Sequence, residues 1–191
     1  MNLDNLSREI SKCKKCPLFK TRNKPVVGEG DIQAKIILVG EAPGREEDLQ
    51  GRPFVGEAGK FLDKLLEIAH LKRENVYITN IVKCRPPNNR DPKEEEIMAC
   101  LPYLKKEIKI IQPKLIITLG RHALTHLLPS KFKISQVHGQ VKKLINQKTG
   151  EKQYYYLLYH PAAALYNVRL KKILEKEFAK IPKILEKIER D

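Results

Sequence analysis

Four cysteines carry the first chemical signal in this chain. Cys13 and Cys16 form a C-x-x-C pair, with 67 residues between Cys16 and Cys84 and 15 between Cys84 and Cys100. One close pair and two distant thiols can make a single tetrathiolate site, two disulfides or four unrelated thiols. A structural zinc is one occupant of a tetrathiolate site, but zinc ribbons repeat the close pair on both sides at shorter separation, and only half of that pattern is present. An iron–sulfur cluster suits the spacing better, because a cubane is larger than one ion and reaches thiolates that lie further apart. The favoured reading is therefore a structural [4Fe–4S] cluster on Cys13, Cys16, Cys84 and Cys100.

Three other constellations can do chemistry. Gly40-Glu41-Ala42-Pro43-Gly44, continuing through Glu47 to Gly51 and then to Phe54 and Gly56, is a Gly/Pro-rich stretch in which a phosphate or small ligand can sit. It is not a Walker loop, since Gly59-Lys60 runs into Phe61 and no glycine stands five residues earlier; Gly28 and Gly30 lack the third glycine of a dinucleotide fingerprint. A second stretch joins Thr79 and Asn80 to Cys84-Arg85-Pro86-Pro87 and Asn89-Arg90. The third is His160-Pro161-Ala162-Ala163-Ala164-Leu165. A lone histidine is ordinarily a satisfied structural residue, and His70, His122, His126 and His138 are read that way or as surface residues.

These groups need elements to hold them. Residues 34–40 and 115–120 are short apolar runs ending in glycine, as strands buried on both faces read. Residues 76–80, 140–145 and 154–159 are the other strands, the last two bracketing a turn at Lys148-Thr149-Gly150. Helical spacing marks residues 57–71, 92–111 and 121–128, with Asp91 and Pro92 as N-cap and first-turn pair and a kink expected at Pro102. A last helix covers residues 162–190, bent at Pro182. The order β-α-β-α-β-α-β-β-α predicts a three-layer α/β/α fold around a mainly parallel four-stranded sheet, with its site at the carboxyl ends of the strands, just after Val39, Thr79, Leu119 and Tyr159. Residues 1–191 read as one domain, to which the segment before Gln33, with a short helix over 4–12, is attached as an arm that needs tying down.

Composition narrows the partner. The 191 residues carry 37 Lys+Arg against 23 Asp+Glu, a formal charge of +14. Part of this is a solvated surface, as where Lys171 to Lys187 interleave with Glu175, Glu177 and Glu186. The excess nevertheless points to a polyanion, and a basic chain of this size most often meets nucleic acid. No apolar run approaches the ~18–20 residues that span a bilayer, and the start lacks a signal region. A cytoplasmic protein without membrane contact is expected. The Lys, Glu and Ile richness without Trp is that of hyperthermophile proteins.

Taken together, GEAPG-x-E-x-D, TN-x-V-x-CRPP-x-NR-x-P and HPAAAL, in this order and with this cysteine spacing, resemble the family 4 uracil-DNA glycosylases of thermophilic archaea and bacteria over residues 13–165. The resemblance implies the uracil-DNA glycosylase fold, a [4Fe–4S] cluster and excision of uracil from single- or double-stranded DNA without a catalytic metal. It assigns Phe54 to the face of the flipped base, Asn80 to reading its edge and His160 to uracil O2, with Gly40 and Ala42 lining the pocket and Glu47 shaping its C5 side. Family 1 relatives carry Asp where Ala42 stands and Tyr where Gly44 stands, so Glu41 and Asn89 are the candidates for handling water. Leu165 is the candidate duplex wedge, and Arg85, Arg90 and Arg169 are candidate phosphate contacts. A monomer is expected, and no motif at either terminus supports a sliding-clamp partner. The alternative kept open by Ala42 is a non-catalytic iron–sulfur nucleic-acid-binding module on the same fold; a nucleotide-dependent Rossmann-like enzyme is a third class.

Overall fold

In the computed structural model, the structure describes residues 2–128, 132–147 and 149–191. Lys148 of the expected turn lies outside the described residues. The first half of the chain forms α1 (Leu3–Ser11), β1 (Glu29–Gly30), β2 (Ile36–Gly40), α2 (Arg45–Gln50), α3 (Glu57–Ile68), β3 (Tyr77–Asn80) and α4 (Glu94–Ile111). The second half adds β4 (Leu115–Leu119), α5 (Arg121–Leu127), α6 (Ile134–Val137), β5 (Val141–Ile145) and β6 (Lys152–Leu158), then α7 (Pro161–Ala164), α8 (Val168–Phe178) and α9 (Ile181–Arg190).

The strands form one sheet in the order β1-β3-β2-β4-β6-β5. It has six strands where four were expected. The four central ones are the parallel set, and β1 and β5 add antiparallel edges. The two-residue β1 has no room for a hydrophobic pattern, and β5 alternates exposed and half-buried residues, as an edge strand wet on one face does. β2 and β4 are buried at every position, because helices cover both sheet faces. Ile36 and Leu38 pack with Leu62, Leu65 and Phe178 on one side, while Ile37 and Val39 pack with Leu101, Leu104 and Leu124 on the other. This is the three-layer α/β/α arrangement. The chain passes from β2 to β3 on one side and after β3 crosses back to β4 on the other, which opens a crevice at the carboxyl ends of the central strands.

Three local expectations change. α4 begins at Glu94, and Asp91 does not cap it: the Glu96 carboxylate instead accepts from the Lys93 amide at 2.8 Å and from both terminal nitrogens of Arg90 at 2.6 and 2.9 Å. Asp91 pairs with Arg121. The expected last helix is three helices, because the Asn167 side chain accepts from the Leu170 amide at 3.1 Å and caps α8, and Pro182 occupies the first turn of α9. Finally, α2 occupies part of the loop after β2. At the other end of the chain, α1 buries Leu6 and Ile10 against Cys100 and Tyr103 of α4, and Lys106 reaches Glu9 at 2.7 Å. Among the described residues, no helix is long and apolar enough to cross a membrane.

Candidate functional site

The parallel register sets Gly40, the last residue of β2, beside Asn80, the last residue of β3. The Asn80 side chain is buried, and its Oδ1 has no hydrogen-bond partner. Gly40 makes this possible: a Cβ there would collide with Asn80 Oδ1 and stand 2.7 Å from Phe54 Cζ. Glycine thus keeps open a cavity of ≈ 210 Å³ at the strand ends. An acceptor without a protein partner at a cavity wall is free to take a donor from a ligand or from water.

His160 lies just beyond β6 and caps α7. Its Nδ1 accepts the Ala162 amide at 3.1 Å, so the ring proton of the neutral form sits on Nε2. Desolvation pushes its pKa down to about 4, against a smaller opposing effect of Glu47, so the ring is neutral at neutral pH. Its face stacks against Phe54, with ring centroids 5.5 Å apart and planes at 27°. Phe54 is 5% exposed and adopts φ +50°, a conformation costly for a bulky residue. Glu47 supplies the restraint. One of its carboxylate oxygens accepts from the Val55 and Gly56 amides, both at 2.9 Å, and the other from the Gly44 amide at 3.1 Å. One side chain therefore ties the loop carrying Ala42 to the loop carrying Phe54.

Glu41 and Ala42 line the same cavity, and Asn89 stands on its exposed rim. Burial raises the pKa of Glu41, and Asp91 adds to this while Arg121 opposes it. Asn88 and Asn89 both take left-handed φ, +56° and +54°, which asparagine tolerates better than most residues. Asn89 Oδ1 accepts from Arg85 Nε at 2.7 Å. His122 is the residue that sequence reasoning left aside. From the first turn of α5 its Nε2 lies 3.7 Å from Glu41 and 3.8 Å from Asp91. Burial and Arg121 hold its pKa low. The carboxyl-end rule had marked the position after Leu119, but no motif there named a residue.

Leu165 is not among the cavity residues. It stands at the end of α7, 37% exposed, beside the fully exposed Tyr166. Of the basic candidates, Arg90 is engaged by Glu96 and Arg85 by Asn89, whereas Arg169 is exposed with no ion pair among the described residues.

All four cysteines line one further cavity and none is in a disulfide. Arg22 Nη1 donates to Cys84 Sγ at 3.0 Å and the Lys83 amide to Cys100 Sγ at 3.2 Å. Burial pushes the Cys100 thiol up to about 12 and also raises Cys16 and Cys84, so binding of a cation must supply the energy to deprotonate them. Among the described residues, the one group of three or more ligand atoms within 4.8 Å of one another is Glu41, Asp91 and His122.

Comparison with known proteins identifies the family. The Uracil DNA glycosylase superfamily profile matches residues 27–188. The chain is 50% identical over 187 residues to a type-4 uracil-DNA glycosylase of Saccharolobus solfataricus, covering 96% of this chain and 87% of that protein. It is 47% identical over 184 residues to the type-4 enzyme of Archaeoglobus fulgidus, covering 94% and 92%. With that of Thermotoga maritima it shares 48% identity over 138 residues, 72% of each chain. By this profile and these relatives, the chain belongs to the type-4 family of the uracil-DNA glycosylase superfamily.

Proposed function

We propose that the protein flips a uracil nucleotide out of single- or double-stranded DNA and hydrolyses its N-glycosidic bond, releasing uracil and leaving an abasic site for base excision repair. The observation that carries this reading is the orphaned, buried Oδ1 of Asn80 in a cavity walled by Phe54 and His160. Uracil offers a donor at N3 and an acceptor at O4, which match the oxygen and nitrogen of the Asn80 amide. Cytosine offers the inverse pair and would leave both groups unpaired, at roughly 1–3 kcal/mol each.

The chemistry follows from the remaining side chains. Phe54 supports the ring. As the C1′–N1 bond breaks, its electron pair leaves with the base and charge accumulates on O2. The Nε2–H of neutral His160 donates to that oxygen in a desolvated pocket, where such stabilisation is usually the largest catalytic contribution. A water oxygen adds to C1′ and its proton passes to Glu41, whose burial brings its pKa closer to neutrality. The Asn89 amide orients that water. Gly40, Ala42 and Glu47 shape the wall, Leu165 fills the stack vacated by the flipped base, and Arg169 meets a backbone phosphate.

The four thiols would hold a [4Fe–4S] cluster, which their shared cavity, the donor set and the two N–H donors to sulfur support. When bound, it cross-links the arm bearing Cys13 and Cys16 to the segment after β3 and to α4, making residues 1–191 one domain. Anaerobically purified protein is expected to be brown; a colourless protein with stoichiometric zinc would overturn the assignment. The activity is tested by incubating the protein with oligonucleotides containing one uracil. Alkali-labile abasic sites are expected, and binding without them would favour a non-catalytic module.

A further inference from the structure

Directly behind Asn80 lies a charge that the reaction does not use. The Lys83 side chain is 1% exposed and Glu107, on α4, is fully buried. Lys83 Nζ donates to Glu107 Oε2 at 2.7 Å, to Thr79 Oγ1 at 2.6 Å and to the backbone carbonyl of Asn80 at 2.8 Å. Thr79 Oγ1 in turn donates to the same Glu107 oxygen at 3.0 Å. All three ammonium donors are thus spent, two of them on the last two residues of β3.

A buried ion pair is rarely kept for stability, because apolar residues of similar volume do as well or better. This one spans the sheet and the helix at the point where the strand stops and its carbonyls lose their ladder partners. The chain turns there, with Ile81 and Val82 donating back to the Gly40 and Glu41 carbonyls at 3.1 and 3.0 Å. In that turn the Asn80 carbonyl is held by the Lys83 ammonium. The same residue's amide donates to Cys100 Sγ, so one residue joins the base-reading strand end to the thiol cavity.

We infer that Lys83 is a positioning residue for uracil recognition: with Glu107 as its anchor, it clamps the backbone of Asn80 so that the amide presents Oδ1 to the cavity in the pose that accepts uracil N3–H. The inference rests on the uracil-excision reading proposed above. It predicts that loss of the clamp degrades base reading while the fold, the thiol site and the DNA-binding surface stay as they are.

The test replaces the pair by apolar volume, Lys83→Met with Glu107→Leu, which leaves no unpaired buried charge and keeps the amide that serves Cys100. Visible absorbance, circular dichroism, affinity for uracil-free DNA, inhibition by free uracil and single-turnover excision are measured on the wild type and the variant. The clamp predicts unchanged absorbance and DNA affinity, at least tenfold weaker inhibition by uracil, and excision about 10²-fold slower, the scale of a misplaced reading group. A folded variant whose uracil inhibition and excision rate lie within twofold of wild type overturns the inference. Should the double variant not fold, Glu107→Gln carries the test, since it keeps volume and an acceptor but loosens the anchor. About tenfold weaker uracil inhibition is then expected, and inhibition unchanged within twofold is the contrary result. A wild type that releases no uracil would refute the excision reading itself, whereas an active wild type beside an equally active variant refutes only the role of Lys83.

Discussion

Asn80 Oδ1 is buried and makes no hydrogen bond to the protein. Replacing Asn80 by alanine therefore removes one small polar group at a cavity wall and breaks no protein hydrogen bond of that oxygen. The effect on folding is expected to stay within about 1 kcal/mol, and for a chain of this size 1 kcal/mol moves Tm by about 2–4 °C. Function moves much further. Uracil N3–H and O4 both lose their partners in the pocket, roughly 2–6 kcal/mol in all, which at ~1.36 kcal/mol per decade is a 30-fold to 10⁴-fold loss of rate. Single-turnover excision on a duplex with one uracil and differential scanning calorimetry read the two effects on the same preparation. A variant that melts several degrees lower and excises within threefold of wild type would refute the reasoning, because Asn80 would then be a structural strand-end residue.

Other predictions concern the rest of the pocket. His160→Ala should slow excision by about 10²–10³-fold, the scale of losing one donor to a developing anion, with DNA affinity by fluorescence anisotropy nearly unchanged. The folded pKa of His160, about 4, lies below the ordinary value of 6.5. The unfolded chain therefore takes up a proton that the folded one refuses, and this residue's contribution to stability, present above pH 6.5, is lost as pH falls toward 4. Nitrogen-15 NMR should accordingly find a neutral, Nε2-protonated ring at pH 6, and a cationic ring there would contradict the assignment. Gly40→Ala should abolish measurable excision by pushing its Cβ onto Asn80 and Phe54, while circular dichroism shows the native fold; normal excision would show that the cavity is not where the base sits.

The parallel strands were legible because burial on both faces writes continuous apolar runs, as over Ile36 to Val39 and Leu115 to Leu119. The edge strand β1 was not, since two residues at 29–30 carry no period. The α7–α8 break was missed because it depends on a side-chain cap at Asn167 within an otherwise helical pattern. At the site, motifs named Asn80, Phe54 and His160, and the structure brings all three to one cavity. Sequence could not tell that Glu47 is committed to three amides or that Arg90 is held by Glu96, since both depend on partners that only folding supplies. His122 and Lys83 were invisible for a related reason. Their positions beside Glu41 and behind Asn80 come from packing between α5, α4 and the strand ends rather than from spacing along the chain.

The central claim is that one pocket reads uracil and releases it. It is tested most directly by single-turnover base release from three oligonucleotides that differ only in carrying uracil, cytosine or thymine at one position, with the free base detected by mass spectrometry. The account predicts stoichiometric release of uracil and no detectable release of cytosine or thymine. Release of cytosine at a comparable rate, or of no base at all from an oligonucleotide the protein binds, would contradict it.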